Sequence, residues 1–142
     1  MATDTAKTQP FSIRLSPDAD RLVAEEIRRS GHSRSVVVEE LTEEAAKTRL
    51  HPGIAFRGKP RRAWVIGSGL DVWEIAELER SYQGDDELLR ESHPLVTRRH
   101  LRSARAYAQQ FPDEIESLLA ENRRPLDELQ ALYPFLQSGD SR

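Results

Sequence analysis

The sequence predicts a mainly α-helical chain with short β-strands, built as an N-terminal strand-helix-helix unit followed by a small α+β unit. Residues 11–15, Phe-Ser-Ile-Arg-Leu, alternate apolar and polar, which is the period of a strand. From Pro17 onward, apolar residues recur at helical spacing in several separate segments, most of them opened by Ser, Thr or Asp. Residues 51–70 hold two short β-prone runs on either side of a Gly58-Lys59-Pro60 turn signal. The expected boundaries are 9–50 for the first unit, 51–122 for the second and 123–142 for a tail.

The chain has 142 residues, room for one ordinary domain or two small ones. Charged residues make up 32% and hydrophobic residues 37%, as in a polar, soluble protein. No apolar run is long enough to span a membrane. The opening MATDTAKTQP lacks the apolar centre of a secretory signal. With no cysteine there is no disulfide framework and no thiolate metal site. The expected location is cytoplasmic.

A formal net charge of -3 argues against a general polyanion binder. The distribution is more informative. Residues 51–70 carry Arg57, Lys59, Arg61 and Arg62 and no acid, residues 71–91 are rich in acids, and residues 92–110 carry Arg98, Arg99, Arg102 and Arg105, again with no acid. Local basic blocks in an acidic chain point to local anion contacts.

In the first unit, Phe11, Ile13 and Leu15 share one face of the strand. Ser16 and Pro17 read as N-cap and first helical residue, and Ala19, Leu22, Val23 and Ile27 form the helix's apolar stripe. Gly31 is the expected stop. Ser33 or Ser35 caps a second helix, striped by Val37, Val38, Leu41 and Ala45. One short strand and two short helices cannot close a core, and the strand would leave its hydrogen-bonding edge bare. Pairing with the same strand of a second copy answers both problems and makes a twofold, two-stranded ribbon. Such a ribbon fits the DNA major groove. Ser12 and Arg14 would point outward, Arg14 donating two hydrogen bonds to guanine. Ser33, Arg34 and Ser35, at a helix start, suit a phosphate. The alternative is a unit that only dimerises the protein.

The segment FSIRLSPDADRLVAEEIRRSGHSRSVVVEEL resembles a ribbon-helix-helix repressor of the VapB-like antitoxin type. The resemblance rests on the alternating strand, the Ser-Pro helix start, and Gly31 followed by Ser33-Arg34-Ser35. It implies that the outward strand residues, here Ser12 and Arg14, read bases.

In the second unit, Gly53–Phe56 and Ala63–Ile66 are the expected strands. Asp71 caps a helix carrying Val72, Ile75, Ala76 and Leu78, which ends at Gln83-Gly84-Asp85. A short helix covers 86–91, Pro94 breaks it, and Thr97 caps a longer helix to about Gln110. On that last helix Arg98, Arg102 and Arg105 lie at i, i+4 and i+7, with Arg99 beside them. Leu101, Ala104 and Ala108 lie opposite. A short helix, a turn and a helix with a basic face resemble a helix-turn-helix. The alternative is a surface helix whose arginines are solvated or paired with the acidic helix before it. Trp64 and Trp73 read as core anchors.

The arrangement GIAFRGKPRRAWVIGSGLDVWEIAEL with HPLVTRRHLRSARAYA is similar to a small bacterial domain of unknown function found in antitoxins, with a helix-turn-helix after two short strands. That resemblance implies a partner, a PIN-like ribonuclease toxin encoded alongside.

After Gln110 a short helix over 113–122 is expected to close the second unit, and a separate tail segment begins at Pro125. Leu126, Leu129, Leu132, Tyr133, Phe135 and Leu136 offer an apolar surface, either core or a segment laid in a toxin's groove. Pro134 would break the helix before Phe135.

No constellation suggests catalysis. His32, His51, His93 and His100 are scattered, and no metalloprotease, phosphate-loop or nucleophile-elbow pattern occurs. No cofactor or metal is expected and the chain does not read as an enzyme. The leading expectation is a type II antitoxin that binds operator DNA as a homodimer, represses its own operon and neutralises the toxin. The alternatives are a stand-alone repressor and a protein-only oligomerisation adaptor.

Overall fold

The computed structural model describes residues 8–132. Among them are six helices and one two-stranded antiparallel sheet, so the chain is mainly helical with a small β component, as expected. It divides into two compact units, Met1–Glu43 and Glu44–Arg142. No helix among the described residues is long and apolar enough to cross a membrane.

The first unit opens with α1 (Pro17–Ser30). The Ser16 hydroxyl accepts the Ala19 N–H at 3.2 Å, satisfying one of the helix's free donors, and Pro17 supplies a preset φ at the first position. Gly31 ends the helix with φ 73°, its N–H donating to the Ile27 carbonyl at 2.9 Å. α2 (Arg34–Leu50) is capped by Ser33, whose hydroxyl accepts the Val36 N–H at 3.4 Å. Of the helical stripes, only Val23 and Val37 are buried within this unit. Residues 8–16 carry no regular secondary structure. The strand expected over 11–15 is therefore not formed in the single chain. A strand exists by its ladder of hydrogen bonds, and no described segment of this chain pairs with those residues.

The second unit holds a complete core. Strands β1 (Ile54–Arg57) and β2 (Arg62–Val65) pair antiparallel, with Ile54 opposite Val65 and Arg57 opposite Arg62. The turn between them contains Gly58, at φ 88°. The period of two sends Ile54, Phe56, Ala63 and Val65 to one face and Ala55, Arg57, Arg62 and Trp64 to the other. After β2, the buried hydroxyl of Ser68 donates to the Val65 carbonyl at 2.8 Å and accepts the Leu70 N–H at 3.0 Å. That knot turns the chain into α3 (Val72–Ser81), where Glu74 reaches back to the Asp71 N–H at 2.7 Å. α4 (Asp86–Ser92) is capped by Asp85, and α5 (Arg98–Gln110) by a reciprocal pair. Thr97 Oγ1 accepts the His100 N–H and His100 Nδ1 accepts the Thr97 N–H, each at 3.2 Å. α6 (Pro112–Leu132) follows.

The hairpin contributes Ile54, Ala63 and Val65 to the core. α3 adds Val72 and Ile75, α4 adds Leu89, and α5 adds Leu101, Ala104 and Tyr107. Ile115 and Leu119 of α6 close it. Burying each Val, Leu or Ile side chain among them contributes about 1.5–3 kcal/mol. Close approach of α5 to the hairpin needs Gly53, where a β-carbon would meet Ser103 Oγ at 2.7 Å.

Two expectations are corrected here. Trp64 is not a core anchor. It lies on the other face of the hairpin, under the Arg57 guanidinium at 4.5 Å from the ring centroid, whereas Trp73 does pack against the core. α6 is a single helix through Pro125, where a separate segment was expected. A proline inside a helix removes one N–H donor, here the one that would serve the Glu121 carbonyl, and this does not end α6.

Candidate nucleic-acid interface

In the first unit, the residues expected to contact DNA are in contrasting states. Ser12 and Arg14 are exposed, and neither makes a hydrogen bond or ion pair among the described residues. Their apolar neighbours Phe11 and Ile13 are 82% and 65% exposed, while Leu15 is half-buried. Ser33 already uses its hydroxyl to cap α2, and Arg34 is held by Asp20 at 2.6 Å. Ser35 is exposed in the first turn of α2. Such surface pairs contribute under about 1 kcal/mol, so Arg34 is loosely committed.

In the second unit, the basic block at 57–62 is largely consumed at home. Arg57 donates to Asp71 at 3.0 Å and to the Gly69 carbonyl at 3.0 Å while stacking on Trp64. Arg61 donates to Glu44 at 2.5 Å and to the Phe56 carbonyl at 2.9 Å. Arg62 lies 3.7 Å from Glu121. Lys59, exposed on the turn, is the one of the four cations without a partner among the described residues.

The α5 arginines separate into two groups. Arg105 points back into the unit. Its Nε lies 2.7 Å from Glu79 of α3 and its Nη2 lies 2.5 Å from Asp86 of α4, so one guanidinium ties three helices. The hydrogen bond from Arg105 holds the Asp86 carboxyl below the usual range and raises Arg105 itself. Glu79 moves the other way, because its burial outweighs the attraction of Arg105. Arg98, Arg99 and Arg102 instead face solvent, with no ion pair or hydrogen bond among the described residues. The link from α4 to α5, His93 to Thr97, buries Val96 and leaves Leu95 78% exposed.

The residues reasoned from sequence are divided between the two units. Ser12 and Arg14 are free in the first unit, and Arg98, Arg99 and Arg102 form an exposed basic stripe in the second. Sequence reasoning missed that Tyr107, rather than Ala108, is the fully buried member of the α5 apolar face. It also missed that Ala106 and Gln109 extend the exposed stripe. Helical periodicity could have placed all three. Of the residues proposed for a partner protein, Leu126, Leu129 and Leu132 fall in the last turns of α6, while Tyr133, Phe135 and Leu136 lie outside the described residues. A groove between α3, α5 and α6, floored by Ala76, Ala108 and Ile115, is crossed at its rim by the Arg80–Glu116 ion pair. No group of three His, Cys, Asp or Glu among the described residues could hold a metal ion. Compared with known proteins, the chain matches no family model, no curated protein and no solved structure.

Proposed function

We propose that this chain is a homodimeric, sequence-specific DNA-binding repressor of the antitoxin type. The observation that carries the reading is the state of residues 11–15. Their apolar members Phe11 and Ile13 are solvent-exposed in the single chain, although they alternate with free Ser12 and Arg14 in strand period. Two such segments, paired antiparallel across a twofold axis, cover each other's edges and bury the apolar side against α1 and α2. The polar side, Ser12 and Arg14, is then presented outward in the width of a major groove. α1 and α2 supply the support for this, being well capped yet burying only Val23 and Val37 by themselves. Exposed Leu22, Val36 and Leu41 are further apolar surface for a second copy to cover.

The toxin partner rests on resemblance to antitoxin-associated domains, and the segment from Leu126 to Leu136 is assigned to it. A gel shift with DNA from upstream of the chain's own gene tests the repressor. A discrete complex competed away by the same sequence but not by unrelated duplex is the expected result, and none of it at micromolar protein sinks the reading. Co-purification from the native operon tests the toxin. Deletion of residues 125–142 is expected to abolish capture of the toxin while sparing DNA binding.

A further inference from the structure

We infer that α5 carries a second, independent DNA-binding face, made by Arg98, Arg99 and Arg102 with Ala106 and Gln109. It rests on the proposed DNA-binding function but concerns a surface that the ribbon does not use. At 3.6 residues per turn the buried side of α5 is defined by Leu101, Ala104 and Tyr107. The opposite side then holds Arg102 and Ala106 at its centre, with Arg98 and Gln109 along one flank and Arg99 along the other. All five are exposed.

This face differs from the other basic parts of the chain. The hairpin arginines and Arg105 are spent on internal acids, whereas these three form no ion pair among the described residues. Residues 92–110 contain no acid that could satisfy them. The α4 acid whose charge is felt by Arg98, Asp86, is already held by Arg105. Holding three like charges on one helix side costs stability, and a polyanion relieves that cost.

The chemistry fits duplex DNA better than a flat acidic protein. Residues 98–109 rise about 16 Å along the helix, a length that an α-helix lays in the major groove. Arg98 and Arg99, in the first turn, reach phosphates. Arg102 offers a bidentate fork to guanine, and Gln109 can bond adenine through donor and acceptor together. Ala106, between them, is small enough to let the helix backbone approach the base edges. Arg105 acts here as a positioning residue, because its ion pairs with Glu79 and Asp86 fix α5 against α3 and α4.

The test uses the full chain and two labelled probes, the duplex upstream of its own gene and an unrelated duplex of about 30 base pairs, roughly three helical turns. Affinity is measured across a salt series for wild type, Arg14→Ala, Ala106→Glu, and the triple variant Arg98→Ala, Arg99→Ala, Arg102→Ala. Circular dichroism checks folding, which exposed positions should leave intact. The triple variant is expected to lower the log–log salt slope by about 0.9 for each phosphate it no longer neutralises. Ala106→Glu, which puts a negative charge against the groove, is expected to weaken binding at least about tenfold. Arg14→Ala is expected to lose preference for the upstream probe while keeping salt-dependent binding to both. Wild-type affinity and slope in both α5 variants overturn the second face and leave the ribbon standing. Loss of all duplex binding in Arg14→Ala also overturns it. Absence of binding by the wild-type chain to either probe overturns the second face and the repressor together.

Discussion

Arg105 Nε lies 2.7 Å from Glu79 Oε1, joining α5 to α3, and the two carboxylates around this arginine respond to pH in opposite senses. Asp86 has its folded pKa lowered, so it stabilises the fold above its ordinary value of 3.8 and loses that contribution as pH falls. Glu79 has its folded pKa raised, so its contribution is present below the ordinary 4.5 and is lost as pH rises through the folded value. In thermal melts from pH 3 to pH 7, roughly the span of these titrations, Asp86→Asn should approach wild type at the acid end and fall behind it at neutral pH. Glu79→Gln should compare worst with wild type at the acid end and gain on it as pH rises. Parallel curves for either variant refute the assignment.

Gly53 sits where α5 crosses the hairpin. Gly53→Val should cost about 1–3 kcal/mol through overpacking against Ser103. In the Gly53→Ala background, Ser103→Gly should recover part of the loss, a coupling that chemical denaturation of the single and double variants would measure. Strict additivity would mean that the two residues do not press on each other.

Leu101 and Ile75 are fully buried in the second unit. Leu101→Ala should destabilise it by about 2–5 kcal/mol, the usual cost of lost transfer energy plus the cavity left behind. Urea unfolding followed by tryptophan fluorescence reads this directly, since both tryptophans belong to that unit. A shift of less than about 1 kcal/mol would contradict the packing of Leu101 in the core.

Ile13 is exposed in the single chain, so Ile13→Asp has no cost in a monomer. If the ribbon forms, the same substitution places a charge on its buried side and should dissociate the dimer. Sedimentation equilibrium separates these outcomes, and an unchanged dimer would remove Ile13 from the interface.

Arg14→Ala should weaken binding to the upstream duplex by about 1–3 kcal/mol, the worth of one bidentate pairing with a base. The dimer should remain intact. Wild-type affinity in this variant would show that the ribbon does not read sequence.

The second unit was legible because its signals are local. Asp71 and Thr97 opened helices as read, Gly58-Lys59-Pro60 turned a hairpin, and Gln83-Gly84-Asp85 separated α3 from α4. Each depends on residues a few positions apart. What was not legible depends on contacts across the chain. A basic run such as Arg57 to Arg62 reads as an anion site until Asp71, Glu44 and Glu121 are seen beside it. Trp64 reads as core until the hairpin register puts it beside Arg57 on the other face. The segment Phe11 to Leu15 combines the two cases. Its pattern is local, but the partner that would make it a strand is not in the single chain.

The home pairing of the hairpin arginines bears on how fast this protein meets another molecule. With its charge at -3 overall and most hairpin cations already matched, the chain approaches a polyanion as a net anion carrying a small positive spot. Long-range attraction is then weak, and collisions count only when that spot faces inward. If the chain binds DNA as proposed, orientation rather than diffusion should set the pace of encounter, with slower association and better discrimination against chance contacts.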